Sequence, residues 1–254
     1  MIYDADEYAR LRNAVLCVSL LAWIILLVEP RASICCSIAA SGMSFETLLI
    51  LNPPASLARD WALMLIAMMA PTLVAPIYYI CINSFARRRI RSVAFFVAGY
   101  FGIWMAAGCL LLAAKLAAQH WAPQSYLPAI LVAIIALVWQ ASPIKQRCLN
   151  RTHNHRSLAP FGLAADWDAT RLGFEHGFWC TCSCWAAMLF PMLLSQGHFI
   201  AMFAVSVLMF CERLDPPGTP SWRWRGFGTA WRYLILRLRG AQCDPAPWAP
   251  IGDA

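Results

Sequence analysis

Apolar residues run through this chain in long stretches, and polar residues collect in the gaps between them. Six stretches stand out, at 11–29, 61–83, 92–114, 126–143, 171–194 and 198–212. A helix needs about 20 mainly apolar residues to cross the hydrocarbon core of a bilayer. The second and third stretches meet that length amply, and the sixth is short. The pattern predicts an all-α fold, a polytopic transmembrane bundle of about six spans over residues 1–215. Residues 216–254 follow as a basic tail. Within it, 226–240 reads either as a basic amphipathic helix on the inner leaflet or as plain tail.

The links between the stretches give an orientation. Arg87, Arg88, Arg89 and Arg91 join the second to the third. Lys145, Arg147, Arg151 and Arg156 follow the fourth, and Arg213, Arg223, Arg225, Arg232, Arg237 and Arg239 follow the sixth. Arg10 and Arg12 precede the first. The alternate links are poor in cations: 30–60 holds only Arg31 and Arg59, while 119–125 and 195–197 hold none. Cationic links stay on the cytoplasmic side, so both termini are expected there, in a multi-pass membrane protein. The first stretch also admits a signal-peptide reading, with Ala39-Ala40-Ser41-Gly42 as the cleavable segment. Asp4, Asp6 and Glu7, where a positive n-region belongs, favour a retained helix.

Composition agrees with lipid as the solvent. The chain is 61% hydrophobic and 13% charged, against about 25% charged in a typical soluble domain. Mean hydropathy is +0.58. The net charge of +7 does not point to nucleic acid, because the cations are scattered over short links with no soluble domain to present them as a patch. Membrane lipid is an expected partner.

Eleven cysteines, mostly inside apolar stretches, do not make the even framework of a secreted disulfide scaffold. Cys35 and Cys36 are set apart in a predicted external loop. Pro71, Pro76 and Pro191 fall within predicted spans and should free backbone carbonyls there. Gly173-x-x-x-Gly177 should let two helices approach closely.

The fifth stretch carries the candidate chemistry: Gly173-Phe-Glu-His-Gly-Phe-Trp-Cys-Thr-Cys-Ser-Cys-Trp185. Residues four apart share a helix face. His176, Cys180 and Cys184 therefore form one stripe, with Met188 a turn further on, while Cys182 points the other way, on a face it shares with Glu175. Imidazole, thiolate and thioether suit a soft or borderline ion, Cu(I) first and zinc second. Packing cysteines are the plain alternative. Met64 and Met68 share a face in the second stretch, near its external end. Cys148 lies beyond the fourth stretch, close to where the fifth begins, and His153 and His155 follow in a polar loop. Hydrolase, kinase and P-loop motifs do not occur, so an enzymatic reading has little support.

These residues resemble a known family, the bacterial integral membrane proteins predicted to bind metal and often labelled copper chaperones. The matching pieces are Trp61, Met64, Ala67-Met68-Met69 and Pro71; then Gln140, Pro143, Lys145 and Cys148-Leu149; then Gly173, His176-Gly177, Cys180, Cys184-Trp185 and Met188; then Gly197 and Glu212. The resemblance spans roughly residues 60–215. Three positions depart from the family pattern: Thr152 stands where a second cysteine is usual, the middle thiol of the cluster sits at Cys182, one residue displaced, and His198-Phe199 follow Gly197 in place of Met-Asn. The resemblance implies a bacterial inner-membrane protein that handles copper for delivery or transport, with a metal ion and a membrane or metalloprotein partner. Met64, Met68 and His198 would receive the ion near the external face, and His176, Cys180 and Cys184 with Cys148 would hold it in the inner half. A membrane thiol oxidoreductase acting through Cys180, Cys182 or Cys184 and a non-catalytic accessory subunit are the rival readings.

Overall fold

The computed structural model describes residues 5–28, 53–122, 125–153, 158–194 and 196–238, and every regular element among them is helical. Cys35, Cys36, the Ala39–Gly42 segment, Asp4, Arg156, His155 and the tail beyond 238 lie outside the described residues. The helices are α1 (Ala5–Val28), α2 (Pro54–Met69), α3 (Val74–Asn83), α4 (Arg89–Trp121), α5 (Leu127–Ala141), α6 (Pro143–Thr152), α7 (Gly162–Leu193), α8 (His198–Arg213) and α9 (Gly228–Leu238). A 3-10 turn at Ala70–Leu73 joins α2 to α3.

Among the described residues, three helical stretches are long and apolar enough to cross a membrane: Asp6–Val28, Pro54–Asn83 and Arg89–Trp121. The α5–α6 pair makes a fourth if it is counted as one span, although it bends by 67°. The fourth predicted stretch, 126–143, corresponds to α5, and the chain bends at its end, where α6 begins. Pro143 causes the break, since a residue before proline is driven out of the helical region and Ser142 is extended (ψ 146°). The Ser142 hydroxyl accepts from the Lys145 N–H at 3.1 Å and caps the new helix.

The fifth and sixth stretches differ from expectation too. The helix containing the fifth begins at Gly162, earlier than 171, and its first turns carry Asp166, Asp168, Arg171 and Glu175. It is not among the membrane-length apolar helices. Its neighbours α4, α5, α6 and α8 pack around it, so much of its surface meets protein. The sixth, α8, has 16 residues, a rise of about 24 Å against about 30 Å of hydrocarbon.

The closest packing joins α4 to α7, and glycine permits it. A Cβ on Gly173 would fall 2.2 Å from the Phe96 carbonyl oxygen, and one on Gly99 would fall 2.5 Å from that of Thr170. Gly177 faces the Tyr100 backbone in the same way. The small-residue motif therefore works as its spacing predicts.

Pro71 shapes the second long element. Lacking an N–H, it leaves the Ala67 carbonyl without its usual helical donor. α1 supplies the replacement: Ser19 Oγ donates to that oxygen at 2.7 Å and Trp23 Nε1 at 3.0 Å. One end of α7 is fixed electrostatically, where Asp166 pairs with Arg88 and Arg91, each at 2.7 Å. Large apolar side chains stay exposed on the outer faces, including Leu20, Leu21, Leu27 and Val28 of α1 and Ile130, Ile134, Leu137 and Val138 of α5. Such belts are what a lipid solvent permits and water does not.

Candidate metal centre

A small cavity lies where the α2 terminus, α7 and α8 meet. It holds about 10 Å³ of free space, room for one water-sized particle. Its lining is Met69, Thr72, Cys180, Ser183, Cys184, Met209, Glu212 and Arg213. Helical spacing assembles each contribution. Cys180 and Cys184 are one turn apart on α7, and Met209 lies one turn before Glu212 and Arg213 on α8. Met69 and Thr72 flank the 3-10 turn, where residues three apart align.

Two thiols and two thioethers thus meet around one small space, together with two hydroxyls, a carboxylate and a guanidinium. The Cys180 sulfur neighbours that of Cys184 and lies 3.4 Å from the Tyr100 hydroxyl. Cys184 Sγ and Ser183 Oγ both donate to the Cys180 carbonyl, at 2.9 and 2.7 Å. Cys180, Cys184, Met69 and Met209 are buried. This donor set fits Cu(I), which soft sulfur ligands favour over hard cations. Among the described residues no group of three or more His, Cys, Asp and Glu side chains is gathered for a metal. Any ion here would complete its shell with thioether sulfur.

The predicted stripe His176–Cys180–Cys184–Met188 is buried along its whole length, but its members have different surroundings. His176 lies against the rings of Phe96 and Tyr100, each 5.9 Å away between centroids, and does not line the cavity. Met188 joins the core together with Met64, Met68, Met192 and Met202. Cys182 is half-buried on the other side of α7, as its spacing predicts, and there it meets the Cys148 thiol. Cys148 is therefore brought to Cys182, not to the Cys180–Cys184 pair. His198 heads α8 and its Nδ1 donates to the Pro191 carbonyl at 2.6 Å, which leaves Nε2 as the lone-pair nitrogen. Glu175, whose charge demands compensation, pairs with Arg171 at 3.1 Å.

Behind the cavity lies a buried polar network. Lys145 Nζ is 2.7 Å from Glu212 Oε1, and both side chains are almost wholly enclosed. Gln140 donates to the same carboxylate and accepts from Lys145. Arg225, from the segment before α9, closes the network on Gln146 and on the carbonyl of Ser142. Gln140 and Lys145, five residues apart, and the distant Glu212 are thus one unit.

Sequence reasoning did not find Met69, Met209 or Arg213 as cavity residues. Met69 was visible only as part of a Met-Met-Ala-Pro run. Met202, Met209 and Glu212 do carry a usable signal, a repeat at helical spacing on α8. Arg213 looked like an orientation charge, because it ends an apolar stretch.

No curated protein and no solved structure matches the chain. A family model, described as PpoB2, copper chaperone, matches residues 58–235 and takes in α2 through most of α9, with every residue that lines the cavity. The chain belongs to this copper-chaperone family.

Proposed function

We propose that the protein is embedded in a bacterial inner membrane and carries one Cu(I) ion in the cavity between α2, α7 and α8, for delivery to a copper-dependent partner. Cys180 and Cys184 are the anionic ligands, and Met69 and Met209 complete the sulfur shell. Met64, Met68, Met188 and His198 serve as weaker, earlier ligands along the same core, and His176 with its aromatic neighbours closes the other end. The transmembrane part comprises residues 1–215, six passes with both termini cytoplasmic, and 216–254 forms the basic tail with α9 on the inner leaflet. Support comes from one observation above all: two thiols and two thioethers line one small cavity in a chain of copper-chaperone family.

The test is elemental mass spectrometry of detergent-purified protein after Cu(I) loading under reducing conditions. About one equivalent of copper is expected, and the double variant Cys180→Ser/Cys184→Ser should lose it. Equal copper in both proteins would refute the reading.

The Cys148–Cys182 pair favours a second reading, a membrane thiol oxidoreductase. That reading expects the pair to cycle between free and oxidised forms during turnover, which thiol trapping detects. A pair that stays reduced under all conditions rejects it.

A further inference from the structure

Arg213 is the least explained charge in the bundle. It lines the cavity with Cys180 and Cys184 and hydrogen-bonds Thr152 of α6. Glu212, its neighbour in sequence, gives Oε1 to Lys145 and Gln140. Among the described residues, no carboxylate stands within salt-bridge distance of Arg213. A guanidinium stays protonated in proteins, and Arg213 is half-buried, where a nearby anion stabilises it more than in open water.

Of the groups facing the cavity, the thiols of Cys180 and Cys184 are the ones that can become anionic beside Arg213, since the carboxylate of Glu212 is shared with Lys145. α7 offers two thiols and a serine, α2 a thioether and the following turn a threonine hydroxyl. On α8, Met209 is neutral and Glu212 is balanced by Lys145 of α6. Tyr100 of α4 contributes a neutral hydroxyl against Cys180.

We infer that Arg213 selects the valence of the cargo, favouring a monovalent ion over a divalent one at the Cys180–Cys184 pair. This rests on the metal-carrying reading above. On binding, both thiols release their protons to solvent and form sulfur–metal bonds, with no change in oxidation state. Two thiolates around Cu(I) make a monoanion, which the guanidinium neutralises. Two thiolates around a divalent ion are already neutral, and Arg213 then leaves an uncompensated positive charge. Where water is scarce, such a difference is amplified, because charge interactions scale inversely with the local dielectric. The arginine thus rejects zinc-like ions that dithiolate ligands would otherwise hold well.

The experiment compares the intact protein with Arg213→Gln, Arg213→Met and Arg213→Lys in detergent, anaerobically. Cu(I) affinity is read by competition with a chromophoric chelator. Co(II), a divalent probe, is read by its sulfur-to-metal charge-transfer absorption. The Gln and Met variants should lose Cu(I) affinity relative to Co(II) by about tenfold or more, and Lys should retain the original preference. Gln keeps much of the polarity at Thr152, so it carries the test if Met does not fold. An unchanged Cu(I)-to-Co(II) ratio in folded Arg213→Gln, while Cys180→Ser/Cys184→Ser loses copper, overturns this inference alone. Copper binding indifferent to the cysteine pair overturns the underlying reading instead.

Discussion

Lys145 and Glu212 form an ion pair that solvent scarcely reaches, their side chains 1% and 2% exposed. They are separated by 67 residues in sequence, and the pair ties the short helix α6 to the end of α8. A buried pair adds little net stability over an apolar substitute, yet breaking it leaves an orphan charge. Lys145→Met alone should therefore destabilise the protein by roughly 3–5 kcal/mol. Lys145→Met combined with Glu212→Leu should recover much of that loss. Thermal unfolding in detergent, run as a double-mutant cycle, checks the coupling.

The α4–α7 contact makes a sharper steric prediction. Gly173→Ala places a methyl group where the Phe96 carbonyl already stands, and both partners are backbone of long helices. Overpacking of this kind costs about 1–3 kcal/mol or more. Gly102→Ala on α4, whose nearest neighbour is the Phe174 ring edge at 3.5 Å, should be nearly neutral. Melting temperatures of the two variants should separate clearly.

Ser19 and Trp23 act on the same acceptor, the Ala67 carbonyl. Either one alone still satisfies it, so Ser19→Ala and Trp23→Phe should each be mild. The double variant leaves a buried oxygen unpaired and should lose about 1–3 kcal/mol beyond the sum of the singles. Strict additivity in a thermal melt would contradict this account of the proline break.

Copper retention should depend on pH with a definite sign. Thiolates bind the metal, thiols do not, and each ligand must give up a proton. Acidification restores those protons and competes with Cu(I), so apparent affinity should fall as pH is lowered. The loss should approach about tenfold per pH unit for each proton displaced. Chelator competition at several pH values measures that slope. Cys148→Ser/Cys182→Ser should leave it unchanged, because those thiols sit on the opposite side of α7.

The helical fold was legible because apolar runs and cationic links are local features. α1, the α2–α3 element and α4 emerge close to their predicted positions. What single-sequence periodicity misses is how a helix is enclosed. α7 holds His176, Ser183 and four charged residues, which suits a helix wrapped by four others rather than one facing lipid. The Cys180–Cys184 spacing was readable from helix geometry, while its partners were not. Met69 is turned into place by the Pro71 break, and Met209 arrives on a different helix. Thr152 receives a hydrogen bond from Arg213. No spacing rule reveals that contact.

The cavity's size has a kinetic consequence. Space for one water-sized particle admits a bare ion but no accompanying hydration shell or small-molecule ligand. Under the copper-carrying reading, an arriving ion has to shed its previous ligands one at a time as sulfurs of this chain replace them. Loading and unloading then proceed by stepwise ligand exchange through bridged intermediates, and the ion is never released free into water. The rates should depend on the donor that presents the copper, and far less on the bulk copper concentration.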